Sequence, residues 1–386
     1  MNERPEADLP SIPGIQLSAA QARELAATHG TPVLLLAPAV IRERYRNIAA
    51  ALPGVAIHYA LKALAHPAVV TALAAEGCDF DLCSNGEVDL VRAAGVDPAR
   101  CLHTHPIKRR SDIDHTLAYG CRTFVYDNAS EIDKFAAYAG DCELLLRLSF
   151  RSRDAVVDLS YKFGAAPDAA LDLLRRARDA GLRVRGLCFH AGSQNSYPYK
   201  YLDAIAFCRQ LFNLAALEDI HLDTLDIGGG FPVAYQEQVM PIADFCAPIA
   251  AELARHFPDT RLIAEPGRYI AAPAAALITA VQGRSLRGGV MWYYLDDGLY
   301  GCYSGKVYDH ADYPLLPLQP TEGRNRHLSV VAGPTCDSID VVYDGIVLPE
   351  LAVGELLAGP MMGAYTHASA STFNSLPRPP VVVLED

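Results

Sequence analysis

A parallel α/β barrel followed by a separate β domain is the fold class that this chain of 386 residues predicts. Two observations carry that prediction. From Pro32 to about Pro273, short apolar runs alternate with alanine-rich helical stretches, the rhythm of βα units that close a parallel sheet. Beyond residue 273 the helical stretches give way to strands and turns, which calls for a second domain.

Taken in order, the first dozen residues, MNERPEADLPSI, carry no periodicity and are expected to be disordered. VLLLA then precedes the helical IRERYRNIAAAL, and VAIHYAL precedes Lys62 and the stretch AVVTALAA that Pro67 opens. FDL with GEVDLVRAAG, and LLLRL after EIDKFAAYA, continue the alternation. Asp223–Ile227 and Leu262–Ala264 read as short buried strands. VMWYYLDDG, LSVVAG, VVYDGIVLPEL and PPVVVLED supply the strands of the β domain. The expected division is an N-terminal segment 1–34, a barrel 35–273 and a β domain 274–386.

Composition excludes several classes of function. A net charge of −12 leaves no basic footprint for nucleic acid or an anionic membrane, and it draws a cationic substrate in. No run approaches the roughly 18 apolar residues of a membrane span, and the opening residues lack a signal peptide's basic start and apolar core. The protein is therefore expected to stay in the cytoplasm. Ten cysteines without CxxC pairs fit free thiols, and twelve histidines without an HExxH pair imply no metal.

The chemistry begins at Lys62, which follows a strand-like run and so falls where barrels keep catalytic groups, at a strand's carboxyl end. An amine flanked by apolar residues loses hydration of its charged form and becomes a Schiff-base nucleophile, although most strand-end lysines simply reach solvent. Gly228, Gly229 and Gly230 follow a strand and have no side chains to keep an anion from their amides; a tight turn is the plain alternative. Glu265-Pro266-Gly267-Arg268 brings a carboxylate and a phosphate-matching guanidinium off one strand end, as a surface ion pair also would.

HYALKA, FDLCSNGE, RLS with DLSYKFGA, FHAGSQ, LDIGGGFP, IAEPGRYI, WYYLDDGLYG, VYDHA, GPTCDSID and GAYTHASASTFN together resemble the ornithine decarboxylase branch of the fold type III pyridoxal-phosphate decarboxylases. The likeness runs over about residues 32 to 380. It implies an eight-stranded (β/α)8 barrel and an alanine racemase-like β domain, with which the N-terminal segment packs. It also implies a homodimer with shared active sites, pyridoxal 5'-phosphate as cofactor, and decarboxylation of L-ornithine to putrescine. L-Lysine or another basic amino acid stays open as substrate, as does a non-catalytic regulatory relative.

By the same resemblance, Lys62 holds the cofactor as a Schiff base, His190 stacks on its ring and Glu265 pairs with the ring nitrogen. Ser193, Gly228, Gly229, Gly230, Pro266, Gly267, Arg268 and Tyr365 belong to the cofactor's surroundings, its phosphate above all. Asp81, Glu87 and Arg147 are polar groups of the barrel wall near it. Tyr308, Asp309 and Asp337 match the residues that receive the distal amine of a diamino acid, and Phe373 joins that subsite and the interface. Cys336 matches the thiol offered from the partner subunit, while Lys162 and Asp340 match a pair bridging the subunits. Three departures from the pattern alter the wall but remove no catalytic group: Leu64 in place of asparagine, His105-Pro106 in place of Asn-Pro, and Pro360-Met361-Met362 in place of an acid.

Overall fold

A computed structural model describes residues 11–150 and 161–385. The run VLLLA forms strand β1 (Val33–Leu36), yet not as the opening strand of the barrel: it pairs antiparallel with β10 (Ala275–Arg287) and parallel with β16 (Val381–Val383). All four of its residues are buried, and a strand buried on both faces carries no polar alternation to say which sheet it joins.

The barrel closes from the eight runs that follow. They are β2 (Val55–Ala60), β3 (Asp79–Leu82), β4 (Cys101–His103), β5 (Thr123–Tyr126), β6 (Glu143–Leu148), β7 (Arg183–Phe189), β8 (Thr224–Asp226) and β9 (Arg261–Ala264). Each pairs in parallel with the next, and β9 returns to β2 with Leu262 beside Val55. Helices alternate with them, among them α3 (Pro67–Ala75) and α4 (Asn85–Ala93), while α1 (Ala19–His29) precedes β1 and α2 (Pro38–Ala51) leads from β1 to β2. Pro67 stands at the start of α3, where its missing N–H costs nothing, and Ser84 caps α4 by accepting from the Glu87 N–H. At the strands' amino ends, charges pair instead of exposing the core: Arg183 and Arg185 with Glu143, Arg185 with Asp223, and Arg100 with Asp79.

A buried charge cluster stands behind the barrel wall. Lys108 and Glu131 are buried 3.2 Å apart, and Lys134 pairs with the same carboxylate. Lys108 Nζ also donates to the carbonyls of His105 (2.9 Å), Pro106 (3.0 Å) and Val125 (2.5 Å). Burial pulls this amine down to about 8. His105 in turn accepts the Ile107 N–H on Nδ1 at 3.1 Å, the turn-closing bond that an asparagine side chain makes, so the His-Pro departure keeps the local geometry. Glu131→Gln would leave two lysine charges in the wall without their anion. The expected loss is about 3–5 kcal/mol of stability in urea unfolding, and a loss below ~1 kcal/mol would show that the cluster is not held by charge.

The second sheet has eight strands. β12 (Leu316–Pro317), β15 (Leu356–Gly359), β10, β11 (Val290–Leu295), β13 (Arg326–Ala332) and β14 (Val341–Pro349) follow one another, with β1 beside β10 and β16 beside β1. Ile12, Ile15 and the alanines 19, 22 and 26 of α1 pack on Val33, Leu35, Ala276 and Ile278 of this sheet. Ile12, within the dozen residues expected to be disordered, is buried and bridges Leu17; residues 1–10 lie outside the described residues, as does the DLS of DLSYKFGA. Contacts divide the chain into one unit of 1–41, 234–238 and 271–386 and another of 42–233 and 239–270. No helix among the described residues is long and apolar enough to cross a membrane.

Candidate active site

The carboxyl ends of the barrel strands bring the predicted barrel residues together. Lys62 stands in the single turn after β2, and its Nζ lies 2.6 Å from Asp81 Oδ2 on β3. Asp81 is fully buried, whereas the Lys62 side chain is 37% exposed, so a buried carboxylate holds a side chain that still reaches the surface. Glu87, on α4, accepts the Cys83 N–H at 2.5 Å, and burial pushes its carboxyl up to about 7.

His190 follows β7. Burial, with the positive charges of Arg147 and Lys62, holds its ring well below the ordinary histidine range, so the imidazole is neutral. Nδ1 accepts the Gly192 N–H at 3.1 Å, which puts the ring proton on Nε2. The loop then runs through Ser193, whose hydroxyl accepts from Arg268 at 3.1 Å. Asn195 donates to the carbonyls of Gly192 (2.8 Å) and Gly230 (3.3 Å), and Gln194 exchanges two bonds with Val233. The loops after β7 and β8 are thereby knitted into one surface.

The glycines serve that knitting. Gly228 (φ 68°) and Gly230 (φ 109°) take the left-handed backbone. A Cβ on Gly228 would strike the Phe189 carbonyl, and one on Gly230 the Gly192 carbonyl. Close approach of backbone to backbone, and not only access for an anion, therefore requires glycine here.

Glu265, just beyond β9, is buried with Asp226, the last residue of β8. Asp226 accepts the Gly228 N–H at 2.8 Å, whereas no N–H donates to Glu265 Oε1 among the described residues. Burial, reinforced by the charges of Asp226 and Asp81, pushes the Glu265 carboxyl well above the usual range. Two buried carboxyls beside each other do not both ionise, so the pair shares a proton unless a cationic donor is bound there.

The β unit holds the remaining residues. Cys336 is exposed, the one exposed thiol of ten, and its N–H donates to Asn374 Oδ1 at 3.0 Å. Asp337 accepts from the Tyr300 hydroxyl (2.5 Å) and the Ile339 N–H (3.2 Å), and the first of these holds its carboxyl below the ordinary value. Tyr300 stacks on Phe373 with ring centroids 4.3 Å apart. Tyr300, Tyr308, Ile339 and Phe373 line a cavity of about 540 Å³, which neither Asp309 nor Asp337 lines. Asp309 closes the short helix Gly305–Tyr308 through its N–H. Tyr365 sits at φ 56°, a conformation that costs a bulky residue energy. Its carbonyl accepts from Ser369. The Asp340 carboxylate is buried and takes donors from Leu299 and Thr335 of its own chain; Lys162 lies over the Phe163 ring.

Comparison with known proteins decides the family. Residues 39–272 match the model of the pyridoxal-dependent decarboxylase pyridoxal-binding domain. The chain belongs to the pyridoxal-dependent decarboxylases. Among relatives, the lysine/ornithine decarboxylase of Selenomonas ruminantium is 39% identical over 96% of this chain and 94% of its own. The ornithine decarboxylase of Caenorhabditis elegans is 35% identical over 90% and 86%. The crystal structure of the lysine/ornithine decarboxylase from Vibrio vulnificus, complexed with cadaverine, is 47% identical with a TM-score of 0.90, covering 95% of this chain and 98% of that one.

This decarboxylase thus acts on a basic amino acid with pyridoxal phosphate, on a fold type III barrel with its β domain. The barrel residues suit that cofactor. A partly exposed amine lies beside a buried carboxylate, Ser193 and Arg268 lie together at the phosphate-matching loops, and buried Glu265 Oε1 has no donor among the described residues, which leaves it able to accept a ring N–H. Sequence reasoning gave no role to Asp226, Cys83, Thr104, Asn195 or Tyr300. A carboxylate in the apolar run TLDIGG was a readable signal for Asp226; the others carry none without coordinates.

Proposed function

We propose that this decarboxylase converts L-ornithine to putrescine and accepts L-lysine, giving cadaverine, as its second substrate, working as a homodimer. The observation that supports this most is the Asp337 carboxylate, kept charged by the hydroxyl of Tyr300, whose ring stacks on Phe373 at the cavity of the β unit. A terminal ammonium finds its counter-ion there, and stacked rings suit the methylene chain. One methylene is worth only about 1–3 kcal/mol of discrimination, which favours two substrates over one. The names of the Selenomonas and Vibrio relatives point the same way.

When bound, pyridoxal phosphate supplies the electron sink for the pair left behind as carbon dioxide departs. The chain's own residues do the rest. Lys62 Nζ, with Asp81 beside it, would hold the cofactor and give way to the substrate amine. Glu265, in its buried pair with Asp226, would accept the N–H of the cofactor's ring nitrogen and so favour its protonated form. Neutral His190 would lie near the ring without adding charge. Ser193, Arg268 and the amides of Gly228–Gly230 would hold the phosphate. Cys336, offered by the partner subunit, returns a proton to Cα, so that one proton replaces the lost carboxylate.

Replacing Asp337 by alanine should lower kcat/KM for both ornithine and lysine by about 10²- to 10³-fold, with cofactor affinity unchanged, because an unpaired ammonium must then be desolvated. Loss of cofactor with unchanged substrate preference would remove Asp337 from the distal-amine subsite.

A further inference from the structure

Around Lys62 the chain carries two side chains that the proposed chemistry does not use, Cys83 and Thr104. Thr104 follows β4 directly and is buried. Its hydroxyl donates to Asp81 Oδ1, while Lys62 Nζ donates to the other oxygen, Oδ2, at 2.6 Å. The Cys83 sulfur packs among the three, 3.6 Å from Thr104 Oγ1 and 3.9 Å from both Asp81 Oδ1 and Lys62 Nζ. We propose that Thr104 is a positioning residue for the Schiff-base lysine: its hydroxyl fixes the Asp81 carboxylate with one oxygen turned to Lys62, and so controls how readily the lysine nitrogen releases its proton.

A carboxylate without water around it is free to rotate about its terminal bond unless a donor claims one oxygen, and among the described residues the Thr104 hydroxyl is the donor on Oδ1 besides the weak contact of the thiol. Burial and the Asp81 charge push the Cys83 thiol far up, so it stays neutral and adds no competing charge beside the amine. Lys62 also faces Glu87, His190, Asp226 and Glu265, whose own ionisation it biases. Those groups stay the same when Thr104 is changed, so a shift in the lysine's titration reports on Asp81. The proposal rests on reading Lys62 as the Schiff-base lysine.

The test follows the visible absorbance of the full-length protein saturated with pyridoxal phosphate as pH is varied, which reads the protonation of the nitrogen contributed by Lys62. Thr104→Val keeps the shape and removes the hydroxyl; the midpoint should fall by about one pH unit, because the Asp81 carboxylate is no longer held with one oxygen on the lysine nitrogen and favours its charged form less. Thr104→Ser should restore the wild-type midpoint, which a purely structural role would not require. Thr104→Ala removes the hydroxyl without a β-branch clash and should fall likewise if the valine variant does not fold. Asp81→Asn marks the full effect, and Lys62→Ala should lose the titrating band. A midpoint within ~0.2 unit of wild type in both Thr104→Val and Thr104→Ala, with Asp81→Asn shifted, would overturn the positioning role. Persistence of the band in Lys62→Ala would instead overturn the lysine's own assignment.

Discussion

Lys62→Ala should lose turnover by on the order of 10⁴-fold or more, because it removes the nucleophile that binds and releases the cofactor. Among the residues described here, Lys62 alone combines a barrel strand-end position, a direct bond to a buried carboxylate and a partly exposed side chain. Lys108, the other lysine buried in the barrel wall, is bound to three carbonyls and Glu131 and cannot take its place. Carbon dioxide release, measured beside the absorbance of the purified variant with added pyridoxal phosphate, checks this. Near-normal turnover together with a wild-type spectrum would remove the centre of the account.

The second large effect is a gain from two losses. Lys62→Ala and Cys336→Ala should each be poorly active, yet their mixture should recover activity if Cys336 serves the partner's site. Random exchange makes half the dimers mixed, and each mixed dimer has one intact site of two, so roughly a quarter of wild-type activity should return. The exposed position of the thiol on its loop, anchored by Asn374, is what an offered residue needs. No recovery after demonstrated subunit exchange would assign each site to a single chain.

Much of this was legible in the sequence because particular residues were tied to their elements by chemistry. Lys62 followed VAIHYAL, Glu265 followed LIA, and the triple glycine followed TLDI; each stands at the carboxyl end of its barrel strand. Strand β1 was placed with the wrong neighbours because VLLLA, buried on both faces and followed by a helix, reads the same in either sheet. Thr104 was invisible for a different reason. A threonine before His-Pro is an ordinary residue until the Asp81 carboxylate, 23 positions earlier in the chain, is seen to accept its hydroxyl. Asp226 and Glu265 show the same limit, since two separated acids reveal their shared burial only when β8 and β9 lie side by side.

The most direct test of the central claim is a product assay of the purified protein with pyridoxal phosphate, offering L-ornithine, L-lysine, L-arginine and diaminopimelate in separate reactions. The account predicts carbon dioxide with putrescine from ornithine and cadaverine from lysine, and little release from the other two. Release from arginine or diaminopimelate, with none from ornithine or lysine, would contradict it.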